Sequence, residues 1–209
     1  MKVEKINIAD FGMEKLPVME HFYTIQGEGF YTGHAAYFVR LAGCDVGCTF
    51  CDVKESWGID EHPIMTLDEI VQQIGDAKIV VVTGGEPSIY PLETLSVLIG
   101  DKGIRRHMET SGSSEISGEW DWICLSPKKR KMPVDSSWKK AHELKVVISR
   151  KNDFEFAEKC EAEVSDDCLC YLQPEWDREK KVLPEIIEYI KKNPKWRMSL
   201  QTHKYMDIP

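Results

Sequence analysis

Short apolar, β-branched runs recur along the chain with amphipathic stretches between them. The runs are Ala36 to Leu41, Ile79 to Val82, Arg106 to Glu109, Trp122 to Leu125, Leu144 to Ile148, Cys168 to Leu172 and Arg197 to Leu200. Each has strand length and is bounded by turn-forming residues. The intervening stretches carry helical spacing instead. Thr66-Leu67-Asp68-Glu69 is a capping-box pattern, and Leu67, Ile70, Val71 and Ile74 then fall on one helix face. A second helix is predicted over Leu92 to Ile99 behind Pro91, and a third over Phe154 to Cys160 behind an Asn152 or Asp153 cap. A fourth runs through Val182, Ile186, Ile187 and Ile190 and stops near Asn193-Pro194. No repeat, low-complexity tract or long linker interrupts the pattern, so one domain over residues 1–209 is expected.

Strands alternating with helices predict an α/β fold with a mostly parallel sheet. A complete eight-unit barrel usually takes about 250 residues. At 209 residues, a partial, open TIM-like barrel of six or seven strands is the better fit. The polar punctuation sits just after the strands, at Gly43, Thr83-Gly84-Gly85, Thr110-Ser111-Gly112, Ser126-Pro127 and Gln201-Thr202. Carboxyl ends of parallel strands are where such folds bind ligands.

Composition narrows the function classes. The chain is 42% hydrophobic and 30% charged, as globular proteins are, with net charge -8. That balance argues against a large phosphate-binding face, and so against direct binding of tRNA or other nucleic acid. The one basic run, Lys128 to Lys131, reads as a solvated loop or a local anion site. No stretch reaches the roughly 20 apolar residues of a membrane span, and the first residues show no secretory pattern. The seven cysteines are then expected as thiols or metal ligands in a reducing, cytoplasmic setting.

Three of those thiols lie within eight residues, in Cys44-Asp45-Val46-Gly47-Cys48-Thr49-Phe50-Cys51. Thiolates converging from one loop suit zinc or an iron–sulfur cluster. No fourth Cys or His follows at compact spacing, and ordinary [4Fe–4S] clusters take four thiolates, so three point to a cluster with one open iron. Cys124, Cys160, Cys168 and Cys170 are expected as buried structural residues, with Cys168 and Cys170 on opposite faces of one strand and badly placed to share a ligand.

The Cys-x3-Cys-x2-Cys spacing with Phe50 before the last cysteine resembles the radical S-adenosylmethionine superfamily. The resemblance implies a [4Fe–4S] cluster on Cys44, Cys48 and Cys51, with S-adenosylmethionine on the open iron. It makes the adenosyl radical, rather than any side chain, the reactive group. Phe50 is then expected beside the cluster or adenine. Thr83-Gly84-Gly85-Glu86-Pro87 is similar to the segment that receives the methionine amino group, with Glu86 and the glycine backbone as acceptors. Glu109 and Ser111 resemble the ribose-contacting position, and Ser126, Lys128 and Gln173 complete the expected cofactor side.

A longer set of segments resembles the 7-carboxy-7-deazaguanine synthase family. These are Phe22 to Gly29, Tyr37 to Cys44, Cys51-Asp52, the Gly-Gly-Glu-Pro turn, Glu109 to Gly112, Leu125 to Lys128, Glu143 to Val146, Leu172 to Pro174 and Gln201 to Lys204. The family implies conversion of 6-carboxy-5,6,7,8-tetrahydropterin to 7-carboxy-7-deazaguanine, with hydrogen abstraction at C6, ring contraction and loss of ammonia. In chemical terms Gln26 and Glu28 suit the pterin amide and amino edge, and the fork of Arg40 suits its carboxylate. Gln201, His203 and Pro209 are further substrate candidates. The resemblance also implies Mg²⁺, a homodimer and an electron donor such as flavodoxin or ferredoxin. Val53 stands where the family commonly has a threonine ligand to Mg²⁺, which leaves Asp52, Lys54 or the substrate itself to hold the ion, or leaves no ion at all. Two other readings share the cysteine loop: a radical activase acting on a protein glycine, and a non-catalytic metal or electron-transfer protein.

Overall fold

In a computed structural model, which describes Ile8 and residues 11–209, the chain forms a nine-stranded open sheet. The strands are β1 (Lys15–Ile25), β2 (Ala35–Leu41), β3 (Ile64–Thr66), β4 (Ile79–Gly84), β5 (Arg105–Thr110), β6 (Trp122–Leu125), β7 (Glu143–Ile148), β8 (Leu169–Pro174) and β9 (Trp196–Met198). Their order is β3-β1-β2-β4-β5-β6-β7-β8-β9. β2 and β4 to β9 run parallel, and these are the seven apolar runs of the sequence. β1 and β3 add an antiparallel flank that the runs did not announce. β1 alternates weakly because much of it is only half-buried, and β3 is three residues long.

The helices are α1 (Leu67–Ile74), α2 (Glu93–Gly100), α3 (Asp135–Lys140), α4 (Asn152–Glu161), α5 (Glu179–Lys192) and α6 (Thr202–Met206). α1 has the full capping box, with Thr66 accepting from the Glu69 amide and Glu69 accepting from the Thr66 amide. Asp153 does not cap α4. It sits inside the helix and reaches back to accept from the amides of Ser149 and Arg150 at 2.8 and 3.0 Å, closing the exit of β7. α3 and α6 are too short and polar for a periodic signal. Among the described residues no helix is long and apolar enough to cross a membrane.

Alternation along the parallel strands separates two environments. Leu144, Val146 and Ile148 of β7, with Cys170 and Leu172 of β8, pack outward against α4 and α5. Val80 and Val82 of β4 and Met108 of β5 do the same beneath α1 and α2. The opposite faces, carrying Glu109, Lys145, Val147 and Gln173, line the concave interior.

The second cysteine group is structural. Cys160, Cys168 and Cys170 lie in one apolar cluster, where burial pushes the first two thiols up to about 12 and keeps them unreactive. Cys168 and Cys170 share a face, contrary to the expectation from sequence, because residues two apart on a strand point the same way. Replacing Leu144, fully buried on β7, by alanine is expected to cost about 2–5 kcal/mol. Urea unfolding checks this as a lower midpoint at unchanged slope.

Candidate active site

The carboxyl ends of the strands surround a cavity of about 550 Å³ that all three clustered cysteines line. Their loop leaves β2 at Gly43, whose φ of +93° only glycine adopts readily and whose added Cβ would meet the Tyr90 hydroxyl at 2.3 Å. That hydroxyl donates to Ala42 O at 2.6 Å. The loop backbone is then fastened from below, where the amides of Gly85 and Glu86 donate to Leu41 O and Gly43 O, each at 2.9 Å. From the side, the Gly43 amide donates to Ser56 O at 2.7 Å.

The basic run also binds the same loop, although Lys129 and Arg130 stay exposed as a solvated loop would. Arg130 donates to Gly47 O at 2.9 Å, and Lys131 pairs with Asp45. Ser113 donates to the other Asp45 oxygen at 3.0 Å. Lys128 turns inward, donating to Ser126 O and Oγ at 2.7 and 2.6 Å. Burial lowers its ammonium pKa, against the pull of the nearby Cys48 thiol.

The thiols suit a metal cluster. All seven cysteines are free. Burial raises the Cys44 thiol, and the amides of Gly47 and Val46 aimed at its sulfur counteract this. Burial likewise raises Cys48, with Lys128 counteracting. Amide and ammonium donors pointing at sulfur are what thiolates on a metal use. Among the described residues no three His, Cys, Asp or Glu side chains gather closely enough for a single metal ion.

Glu86 lines the cavity at the turn after β4. It is buried, and its two oxygens accept from the amides of Ser88 and Ser111 at 2.9 and 2.7 Å and from the hydroxyls of Thr110 and Ser111. Its carboxylate therefore ties β4 to β5. Gly84 and Gly85 line the cavity beside it. No side chain fits at Gly84, where a Cβ would meet Leu41 O at 2.2 Å. Ser111, bonded to Glu86, lines the cavity as well.

Opposite the cysteines lies a polar network. Gln26 donates to Glu109 at 2.8 Å and accepts from the Glu28 amide at 3.0 Å. Glu28 forms a buried ion pair with Lys145 and accepts from Gln201 at 2.9 Å. Gln201 also donates to Asp52 at 3.2 Å, and Lys204 pairs with Asp52 at 2.7 Å. His203 and Pro209 line the same space, which puts the chain end at the rim. Arg40 lines it too, but its Nε donates to Glu20 on the adjacent strand at 2.6 Å. Gln173 accepts from Ser199 at 2.8 Å, Ser126 faces Lys128, and Phe50 is partly exposed on the wall. Val53 and Lys54 line the cavity, and Lys204 stands beside Asp52 where a cation was expected.

Lys145, Lys204 and Thr83 are cavity residues that sequence reasoning did not assign to the site. Lys145 had a signal, since a lysine between Leu144 and Val146 on a buried strand must face inward. Burial opposes the charge on Glu28, yet Lys145 prevails and holds its carboxyl below the usual range. Burial works against the Lys145 ammonium, but Cys124 and the carboxylates of Glu28, Glu109 and Glu143 push its pKa well up.

Comparison with known proteins places these features. The model of the Radical SAM superfamily matches residues 39–122. The 7-carboxy-7-deazaguanine synthase of Flavobacterium psychrophilum is 50% identical over 210 residues, covering 100% of both chains. That of Synechocystis sp. is 45% identical, covering 92% of this chain and 93% of its own. The crystal structure of QueE from Escherichia coli superposes with a TM-score of 0.79 at 31% identity, over 89% of this chain and 93% of that one.

Lys145→Met is expected to cost about 3–5 kcal/mol by stranding Glu28, and adding Glu28→Gln to recover part of it. Because the Glu28 pKa is lowered on folding, its contribution is complete above the ordinary carboxylate pKa and is lost as pH falls through the lowered one. Urea titrations of the single and double variants across that acid range check both.

Proposed function

The chain belongs to the 7-carboxy-7-deazaguanine synthase family, and on that premise we propose that it converts 6-carboxy-5,6,7,8-tetrahydropterin to 7-carboxy-7-deazaguanine with loss of ammonia. When bound, the [4Fe–4S] cluster and S-adenosylmethionine supply the adenosyl radical for hydrogen abstraction at C6. Cys44, Cys48 and Cys51 would hold the cluster. The observation that carries the substrate assignment is a single cavity in which the three cysteines face the Gln26–Glu28–Lys145 network.

The chain's own residues bind and orient. Gly84 and Gly85 offer backbone to the methionine ammonium, and Glu109 offers its carboxylate to the ribose. Gln26, hydrogen-bonded to Glu109, links that half of the cavity to the pterin half. Glu28 is kept ionised by Lys145 and so accepts from the N–H edge of the pterin. Arg40 exchanges Glu20 for the substrate carboxylate. Gln201, His203 and the chain end at Pro209 cover the ligand. Ser126, Lys128, Gln173 and Phe50 finish the cofactor wall, and Glu86 and Ser111 position the turn beneath it.

We assign the place of Mg²⁺ to Lys204. Its ammonium lies against Asp52, next to a Val53 side chain that has no oxygen to offer a hard cation. A protein-glycine activase is disfavoured, since the Gln26–Glu28–Lys145 network would then have no partner. The chain is read as one domain acting in a cytoplasmic homodimer, supported by seven free thiols and an open sheet edge that a second subunit can cover. An acidic carrier such as flavodoxin or ferredoxin supplies the electron.

Anaerobic incubation of the reduced protein with S-adenosylmethionine and the carboxytetrahydropterin is expected to give 7-carboxy-7-deazaguanine by mass, with a rate unchanged by a Mg²⁺ chelator. Deoxyadenosine without that product rejects the substrate. A strict requirement for added Mg²⁺ rejects the role given to Lys204.

A further inference from the structure

Beneath the substrate half of the cavity lies a small separate chamber of about 10 Å³, roughly the space that a single water molecule needs. Gln26, Glu28 and Glu109 line both spaces. Strand alternation builds the rest. His107 and Glu109 are two apart on β5 and point inward together, and the register of β5, β6 and β7 sets Glu109, Cys124 and Glu143 side by side. Trp122 pairs with His107 one layer lower, and Tyr31 lies against the His107 ring at 4.4 Å. Trp122 also lines an outer groove of about 590 Å³ at the amino ends of the strands, so its indole stands between chamber and surface. The chamber is rich in acceptors and short of cations. Glu28 is paired with Lys145, but Glu109 and Glu143 make no ion pair among the described residues. Glu109 accepts from Gln26 at 2.8 Å, and Glu143 accepts from the Phe30 amide and the Trp122 indole at 3.2 and 3.1 Å. His107 is 3% exposed, and its Nε2 has no hydrogen-bond partner among the described residues. Burial, and then Arg105, push its pKa down to about 4, so the ring is neutral and Nε2 can accept. Leaving such a nitrogen buried and unpaired is costly.

We propose that this chamber is an ammonium site, which takes up the ammonia released on the substrate side and passes it towards the outer groove. The inference rests on the reading that ammonia is lost from the pterin. Ammonium is close to water in size, carries the positive charge that the chamber lacks, and donates hydrogen bonds in several directions. Glu109, Glu143 and the Nε2 of His107 are its acceptors. A bare alkali ion would meet a ring nitrogen where hard cations take oxygen. Burial raises the Glu143 carboxyl pKa, so that group can give the proton. Ammonia becomes ammonium as the carboxyl becomes carboxylate, and both revert when ammonia leaves.

The test uses the reconstituted full chain and isotope-labelled ammonium chloride as probe, read by nuclear magnetic resonance. Ammonium held away from water exchanges its protons slowly and gives a proton–nitrogen resonance apart from that of the free ion. The unaltered chain is expected to show it. His107→Phe, which removes Nε2 at similar shape, is expected to raise the ammonium Kd about tenfold. Cys124→Val, which fills the chamber, is expected to abolish the resonance, and either variant decides the matter if the other fails to fold. Potassium chloride at the same concentration leaves the resonance in place. In turnover, ammonium chloride slows the unaltered enzyme more than potassium chloride does, and His107→Phe loses that difference. No bound resonance, or one that survives the variants, overturns the proposal. So does displacement by potassium at equal affinity. Bound ammonium with no effect on turnover overturns the exit role. Absence of 7-carboxy-7-deazaguanine from the unaltered chain would instead indict the reading of the reaction, and the resonance would still decide the site.

Discussion

The buried carboxylate of Glu86 is the junction on which the site depends. Burying a charge costs several kcal/mol unless it is fully hydrogen-bonded. Here two amides and two hydroxyls, from Ser88, Thr110 and Ser111, supply the donors. The consequences spread outward from that knot. It fixes the end of β4 against the end of β5, and the adjoining amides of Gly85 and Glu86 catch the backbone leaving β2. The cysteine loop is then held from below by this turn and from above by Arg130 and Lys131. A loop held on both sides can present three thiols in a fixed relation without regular secondary structure of its own.

A second constraint shapes the other half of the cavity. Lys145 on β7 and Glu28 in the loop between β1 and β2 meet inside the open barrel. Neither charge is tolerable alone at that depth, so each requires the other. Gln201, bonded to both Glu28 and Asp52, carries the same network to the end of the chain. The same network reaches the end of β5 through the hydrogen bond from Gln26 to Glu109.

Much of this was legible in the sequence, and the misses have definite causes. Most of the parallel strands, β2, β4, β6, β7 and β8, are buried along nearly their whole length, so they read as apolar runs. α1 announced itself through its capping box. β1 did not, because a half-buried flanking strand alternates weakly, and β3 is too short to carry a pattern. The cysteine loop and the Gly-Gly-Glu turn were visible because their chemistry is local. Contacts between distant segments were not: the grip of Arg130 and Lys131 on residues more than 80 positions away needs the fold. The same holds for the hydrogen bonds that Glu86 accepts from Thr110 and Ser111. Arg40 and Glu20 sit opposite each other only through the β1–β2 register.

The central claim is that Cys44, Cys48 and Cys51 hold a cluster with one iron open to S-adenosylmethionine. Its most direct measurement combines iron and sulfide content after anaerobic reconstitution with the electron paramagnetic resonance spectrum of the reduced protein. About four iron and four sulfide per chain are predicted, lost on Cys48→Ala, with a spectrum that changes when S-adenosylmethionine is added. Zinc in place of iron, or a spectrum indifferent to S-adenosylmethionine, would contradict it.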